Sequence, residues 1–209
     1  DDGMFISPPI DALGMAPPSE AEIDSSMPAL PVSGEAEFGF MEMFAGTGVL
    51  SNSINRICGS MVRIQGTQDI NSGFDILDDE HFTAALKLLE DGAAHWKHSA
   101  PPCRTFSRAR EINAAPGVAQ LRSDAYPQGW GDEETTEANK ILDRCIALVR
   151  VQVAANKFCS TENPWTPYTW SMPVVLKLMR DLKDKARFVK FEYCAFSAPW
   201  RKPTTFFTN

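Results

Sequence analysis

"FGFMEMFAGTGVLSNSINRIC", residues 38–58, holds the junction on which the fold turns. "FGFMEMF" (38–44) is apolar, aromatic and short, the pattern of a buried strand. It runs directly into "AGTG" (45–48), and "VLSNSINRIC" (49–58) then reads as a helix. Strand, glycine turn and helix in that order open a βα unit. Glycine lets a backbone curve tightly and come close to a ligand. There is no third glycine at the dinucleotide spacing and no Lys-Ser/Thr pair as in a P-loop, which argues against phosphate. An adenosyl group remains compatible with the turn. Phe44, just before it, is either core or a stacking surface for a purine.

Outward from this junction the alternation continues. "MVRIQG" (61–66) is a second strand, "DDEHFTAALKLLE" (78–90) a helix with Asp78 as N-cap, and "AHWKHS" (94–99) a short strand ending before Pro101-Pro102. Residues 112–133 read as a long loop. Ala138, Ile141, Leu142, Cys145, Leu148, Val149 and Val153 share one face of a helix over 135–154. "KFCST" (157–161) is a strand, and 172–185 a helix with Pro173 in its first turn. "RFVKFEYCAF" (187–196) and "TTFFTN" (204–209) are strands. Such β-α alternation predicts an α/β fold, a mostly parallel sheet with helices on both faces. Ligands of such sheets collect at the carboxyl ends of the strands. "AGTG", "PPC" (101–103) and "ENPW" (162–165) each follow a predicted strand, which points to one site.

Composition narrows the setting. The 209 residues are 44% hydrophobic and 22% charged, as in an ordinary globular protein. No apolar run approaches the roughly 18 residues needed to span a bilayer, so no membrane partner is expected. Five cysteines without CxxC pairing argue against a disulfide scaffold or zinc knuckle and for a reducing, intracellular compartment, nucleus and cytoplasm not being separated. The net charge of −7 is unevenly placed: eight of the 27 acidic residues lie in 1–37, which has no Lys or Arg, leaving 20 basic against 19 acidic residues in 38–209. Residues 1–37 also carry six prolines and read as a disordered acidic linker. The Asp1-Asp2 start reads as a piece of a longer polypeptide. The domain expected over 38–209 is neutral enough to approach nucleic acid through a local patch.

"HSAPPCRTFSRAR" (98–110) holds the most reactive-looking residue. Two prolines stiffen the chain before Cys103, which is expected at a helix start, and Arg104, Arg108 and Arg110 follow. Helix N–H groups and positive charge both stabilise a thiolate, so this cysteine is a candidate nucleophile with a lowered pKa. The other four cysteines fall within apolar strand or helix patterns and read as structural. His95, His98 and Cys103 do not form a metal set, since H-x2-H on a short strand gives no shared face. Glu162, in "STENPW", lies beyond a buried strand on the same sheet edge as Cys103. In "QDINSGFDILDD", Asp69 is placed to accept from ribose hydroxyls and Asp75 from an adenine amino group; the alternative is loop acids or helix caps.

"FMEMFAGTGVLS", "APPCRTFS", "TENPW" and "CAFSAPWRKPTTFFTN" occur in the order and approximate spacing of the motifs of cytosine-C5 DNA methyltransferases. The chain resembles that family over about 38–209, most closely its compact phage-like and protist mobile-element branch. The resemblance implies a Rossmann-like S-adenosylmethionine-dependent methyltransferase fold. It assigns cofactor binding to Phe44, Ala45, Gly46, Thr47, Gly48, Asp69, Asp75 and Pro101, the nucleophile to Cys103 and the catalytic carboxylate to Glu162. Substrate contacts would fall on Arg104, Ser107, Asn163, Arg201 and Lys202. No metal is implied. The departures are specific: Arg104 stands where the family usually has Gln, Pro164 where it has Val, and Lys202 and Thr204 where it has two arginines, with Arg201 displaced by one. The family's target-recognition region and last motif have no counterpart after Thr208-Asn209.

The expected activity is methyl transfer to C5 of cytosine in DNA through a covalent Cys103 adduct. RNA cytosine methylation is the near alternative. A catalytically silent domain of a larger mobile-element protein, binding cofactor or nucleic acid, is another. A third is an unrelated thiol enzyme, for which His98 is the candidate base near Cys103 in sequence.

Overall fold

A computed structural model of the chain describes residues 38–108, 119–165, 167–196 and 202–209. The linker expected over 1–37 lies outside them, as do Arg110 and Arg201.

The fold is built on six strands: β1 (Phe38–Met43), β2 (Val62–Gln68), β3 (Trp96–Ser99), β4 (Phe158–Pro164), β5 (Arg187–Glu192) and β6 (Pro203–Thr208). Four helices alternate with them: α1 (Val49–Cys58), α2 (Asp79–Glu90), α3 (Glu133–Ala154) and α4 (Pro173–Leu182). The sheet order is β2-β1-β3-β4-β6-β5. Strands β1 to β4 pair in parallel, and β6 alone runs antiparallel, between β4 and β5. This is the predicted mostly parallel sheet. The predicted strand over 187–196 is shorter: it stops at Glu192, and Tyr193–Phe196 form a 3-10 turn.

Alternation along β1 assigns the helices to faces. Met41 and Met43 pack with Ala85 and Leu89 of α2 and Cys145 and Leu148 of α3. Glu42 points the other way, where its Oε2 accepts from Ser51 N of α1 at 2.8 Å. A carboxylate at a helix N-terminus takes up backbone N–H groups that the helix leaves without partners. Thus α1 covers one face, and α2 and α3 the other. A second cluster joins Leu142, Ile146 and Val149 of α3 to Val175 and Leu178 of α4 and to Phe207 of β6. Asp78 caps α2 as predicted, accepting from Glu80 N and His81 N. Asp132, unpredicted, caps α3 through Thr135 N.

Two positions show how tightly the central strands are built. A Cβ on Gly39 would lie 1.8 Å from the Ala93 carbonyl oxygen, so β1 and the chain entering β3 approach too closely for any side chain. Lys97 of β3 is fully buried and donates to Ser99 Oγ at 3.1 Å; burial pushes its pKa down.

Candidate active site

The three segments singled out from the sequence leave neighbouring strands side by side. The glycine turn follows β1, the Cys103 loop follows β3, and Glu162 stands in β4 just beyond the last β3 pairing, Ser99 with Thr161. Ala100 N donates to Met43 O at 3.3 Å, so the cysteine loop starts against the end of β1. Asn163 Nδ2 reaches Pro101 O at 3.4 Å and ties the same loop to β4.

The turn adopts a backbone that most residues avoid. Phe44, Gly46 and Gly48 all have positive φ, of 59°, 55° and 69°. Alternating left-handed residues direct N–H groups into a concavity that suits electronegative atoms. Nothing lies within 4 Å of where a Gly46 Cβ would stand, so the missing side chain leaves open space over the turn. Asp69, at the end of β2, takes Gly46 N on Oδ2 at 2.8 Å and Asn71 N on Oδ1 at 2.9 Å. Asn71 Nδ2 adds a bond to Oδ1 at 2.8 Å. A carboxylate has about four acceptor sites, so capacity remains on the Gly46 side. Asp75 accepts from Leu77 N at 2.8 Å and its own N–H meets His81 Nδ1. Phe44 is half-buried against the α2-side core, and Ala45 and Thr47 border the turn.

Cys103 is held differently from the sequence expectation. It does not begin a regular helix among the described residues: Phe106 N and Ser107 N both donate to Cys103 O, at 3.0 and 2.7 Å, closing a single turn. Two of the three arginines, Arg104 and Arg108, are committed elsewhere. Arg104 is 80% exposed and pairs with Glu134 at 3.2 Å; Arg108 pairs with Asp124 and lies 4.7 Å from the Tyr168 ring centre. Burial and then the Glu162 charge push the Cys103 thiol pKa up, against the opposing pull of Lys202 and a backbone hydrogen bond. The expected lowered pKa is therefore corrected: among the described residues no regular helix begins at Cys103, Arg104 and Arg108 pair with carboxylates, and desolvation prevails.

Among the described residues the cation paired with Glu162 is Lys202. Its Nζ lies 3.2 Å from Glu162 Oε1 and 5.1 Å from the Tyr193 ring centre. Burial works against its charge, but Glu162 outweighs that and holds the Lys202 pKa above its ordinary value. Asn163, 1% exposed, spends its side chain on Pro101 O, Glu162 O and Thr169 Oγ1, supporting the site from behind. His98 does not serve Cys103: its Nδ1 is bonded to Ser160 Oγ at 2.8 Å, and burial lowers its pKa to about 4.

One residue that sequence reasoning passed over organises the cysteine loop. Arg122, 1% exposed, donates from Nε to Thr105 O and from NH2 to Thr105 Oγ1, both at 3.0 Å. NH1 reaches Asn139 Oδ1 at 2.9 Å, and the guanidinium lies 3.9 Å from the Phe106 ring centre. It thereby locks the turn after Cys103 to α3. The only hint in the sequence is that Arg122 is the single basic residue of the 112–133 loop, among Asp124, Asp132 and Glu133. Among the described residues no three His, Cys, Asp or Glu side chains could hold a metal ion.

No protein-family model matches the chain, and no curated protein matches it. Solved structures do. The Entamoeba histolytica methyltransferase EhMeth superposes with a TM-score of 0.50 at 13% identity, over 82% of this chain and 52% of that one. The fold is that of a Rossmann-like methyltransferase. The S. pombe Dnmt2 methyltransferase superposes with a TM-score of 0.48 at 12% identity, over 82% of this chain and 48% of that one. The chain thus spans about half the length of these structures. In a methyltransferase fold the glycine turn, Asp69 and the cysteine loop all stand at the carboxyl edge of the sheet, where ligands of open α/β sheets bind.

Proposed function

We propose that the chain is a catalytic domain of the cytosine-C5 type, transferring a methyl group from S-adenosylmethionine to C5 of cytosine in DNA. One observation carries this reading: the Cys103 loop and Glu162 leave adjacent strands beside the glycine turn after β1, with Asn163 tying that loop to β4. The compact phage-like and protist mobile-element branch, whose motifs the sequence resembles, uses these two residue types in this order.

The residues present fit the cofactor. Gly46 leaves open space over a turn of left-handed residues, and Asp69 keeps acceptor capacity beside it. Phe44 to Gly48, Asp69, Asp75 and Pro101 would hold S-adenosylmethionine, which supplies an electrophilic methyl group when bound. The cytosine ring carbon C5 is too weak a nucleophile to accept a methyl group unaided. Addition of the Cys103 thiolate at C6 forms an S–C bond and drives electron density to C5, while Glu162 holds N3 and the exocyclic amine. Transfer of the C5 proton to water afterwards restores the C5–C6 double bond, breaks the S–C6 bond and frees the thiolate. The base must leave its stack to reach the thiol.

The test is a trap. An oligonucleotide with 5-fluorocytosine has no C5 proton to lose, so the enzyme with S-adenosylmethionine should be caught as a covalent complex on denaturing gels. Cys103→Ala should abolish it. The same trap run on RNA of equal sequence decides between the two nucleic acids. An adduct that survives Cys103→Ala, or none on either strand type, defeats the proposal.

A further inference from the structure

We propose that β5 and Trp165 form a track for a nucleic-acid strand beside Glu162: Lys183, Lys185, Arg187 and Lys190 neutralise backbone phosphates, and Trp165 stacks on a base. The track deepens the proposed function and rests on it for the identity of the strand.

Positive charge without partners is concentrated at this end of the sheet. From 183 to 190 the chain carries Lys183, Lys185, Arg187 and Lys190 against Asp184 alone, although its net charge is −7. All four cations are exposed, and among the described residues none of them forms an ion pair. Elsewhere Arg104, Arg108, Arg144, Arg150, Lys177 and Lys202 each meet a carboxylate. The flanking acids are engaged too: Asp181 takes Arg150 and Lys177, and Glu192 accepts from Cys194 Sγ at 3.6 Å. An unpaired surface cation gives up no ion pair when it meets a phosphate, and the contact releases counterions.

Trp165 is the second, independent observation. It stands three residues after Glu162 and is 37% exposed, and its indole N–H meets no acceptor among the described residues. Its backbone is nevertheless fixed. Trp165 N donates to Pro203 O at 3.1 Å, and Trp170 Nε1 donates to Pro164 O at 3.2 Å. Pro203 directly follows Lys202, the partner of Glu162, so the indole is anchored at the connection that carries that ion pair. The Lys190 ammonium lies 5.2 Å from the Trp165 ring centre, which brings the charge of β5 and the aromatic surface together.

Edge strands carry lysine to block pairing with other strands. That accounts for a charge on β5, but not for Lys183 and Lys185 before it, nor for an exposed, anchored tryptophan after β4. An aromatic surface beside a line of free cations matches the needs of a nucleic-acid strand, whose bases stack and whose phosphates seek charge.

The experiment uses the full chain without cofactor, so it does not depend on methyl transfer. Fluorescein-labelled single-stranded DNA, and RNA of equal sequence, are titrated by anisotropy at several salt concentrations. Each Gln substitution at Lys183, Lys185, Arg187 or Lys190 should lower the slope of log affinity against log salt by about 0.7, and all four together by about 2.8. Trp165→Ala should weaken binding about tenfold with the slope unchanged, and Trp165→Phe should retain most of the affinity. Arg56→Gln, on α1 at the opposite end of the sheet, should leave the slope as it is. Denaturant midpoints report folding; if Trp165→Ala unfolds, Trp165→Phe and the four Gln variants decide. A slope unmoved by the four substitutions, an equal fall for Arg56→Gln, or an affinity indifferent to Trp165→Ala in folded protein overturns the proposal. So does polyglutamate competing as well as the oligonucleotide, which would make the partner an acidic protein. Weakened binding by these variants alongside a failed 5-fluorocytosine trap would sink the proposed chemistry alone, and a working trap with unchanged binding would sink the track alone.

Discussion

The backbone amide of Gly46 donates to Asp69 Oδ2 at 2.8 Å, so the turn after β1 is tied to the end of β2 by one carboxylate. That carboxylate also caps the 3-10 turn Ile70–Ser72. Asp69→Ala removes the bond from Gly46 N and those from Asn71 N and Nδ2. Loss of the cap should cost about 0.5–2 kcal/mol of stability in chemical denaturation. Under the proposed function, S-adenosylmethionine should bind about tenfold more weakly by calorimetry, roughly 1.4 kcal/mol, with Asp69→Asn between the two. Undiminished affinity for Asp69→Ala would remove Asp69 from the cofactor site.

Gly39 tests the packing of the sheet centre. An alanine methyl there would be driven into the Ala93 carbonyl, whose backbone also bears on the neighbouring strand. Gly39→Ala should destabilise by at least about 1–3 kcal/mol, the usual range for overpacking. Gly46→Ala meets no atom and pays only for its left-handed backbone, so its loss of stability should be the smaller.

His98 gives a signed pH dependence. Its folded pKa, about 4, lies below the ordinary 6.5, so the unfolded chain binds the proton first as pH falls. Stability should therefore be full above about pH 6.5 and fall as pH drops towards 4, by up to about 3 kcal/mol in total. His98→Gln should flatten denaturant midpoints measured between pH 7 and 4.5 relative to the parent. Parallel slopes would show that the imidazole does not titrate as described.

Arg122 links Thr105, Pro127 and Asn139 through one guanidinium. Arg122→Met strands several buried acceptors and should cost at least about 3 kcal/mol. Arg122→Lys should recover little, because one ammonium cannot span a fork of acceptors. A lysine variant as stable as the parent would mean that charge alone suffices there.

What could be read in the sequence was local. The bounds of α1, the Asp78 cap and the glycine turn follow from neighbours within a few residues, and the structure has them as read. Parallel pairing of β1 to β4 followed from alternation of strands and helices. The environment of Cys103 was not local. Three nearby arginines suggested a positive field, yet two of them reach Glu134 and Asp124, and the facing cation is Lys202, 99 positions along the chain. Which charge meets which sulfur is fixed by tertiary packing. The role of Arg122 was hidden for the same reason.

The place of β6 carries a consequence for how the molecule comes into being. Among the described residues β5 pairs with β6 alone, and Glu162 pairs across to Phe206. During synthesis β1 to β4 can assemble as they emerge, while residues 187–192 must wait unpaired for 203–208 to slide in beside them. Pairing of β6 with β5 is local, whereas its pairing with β4 closes across α4, and such non-local pairing is the slower step. Lys202 stands directly before β6, so its ion pair with Glu162 can close only once that strand has docked on β4.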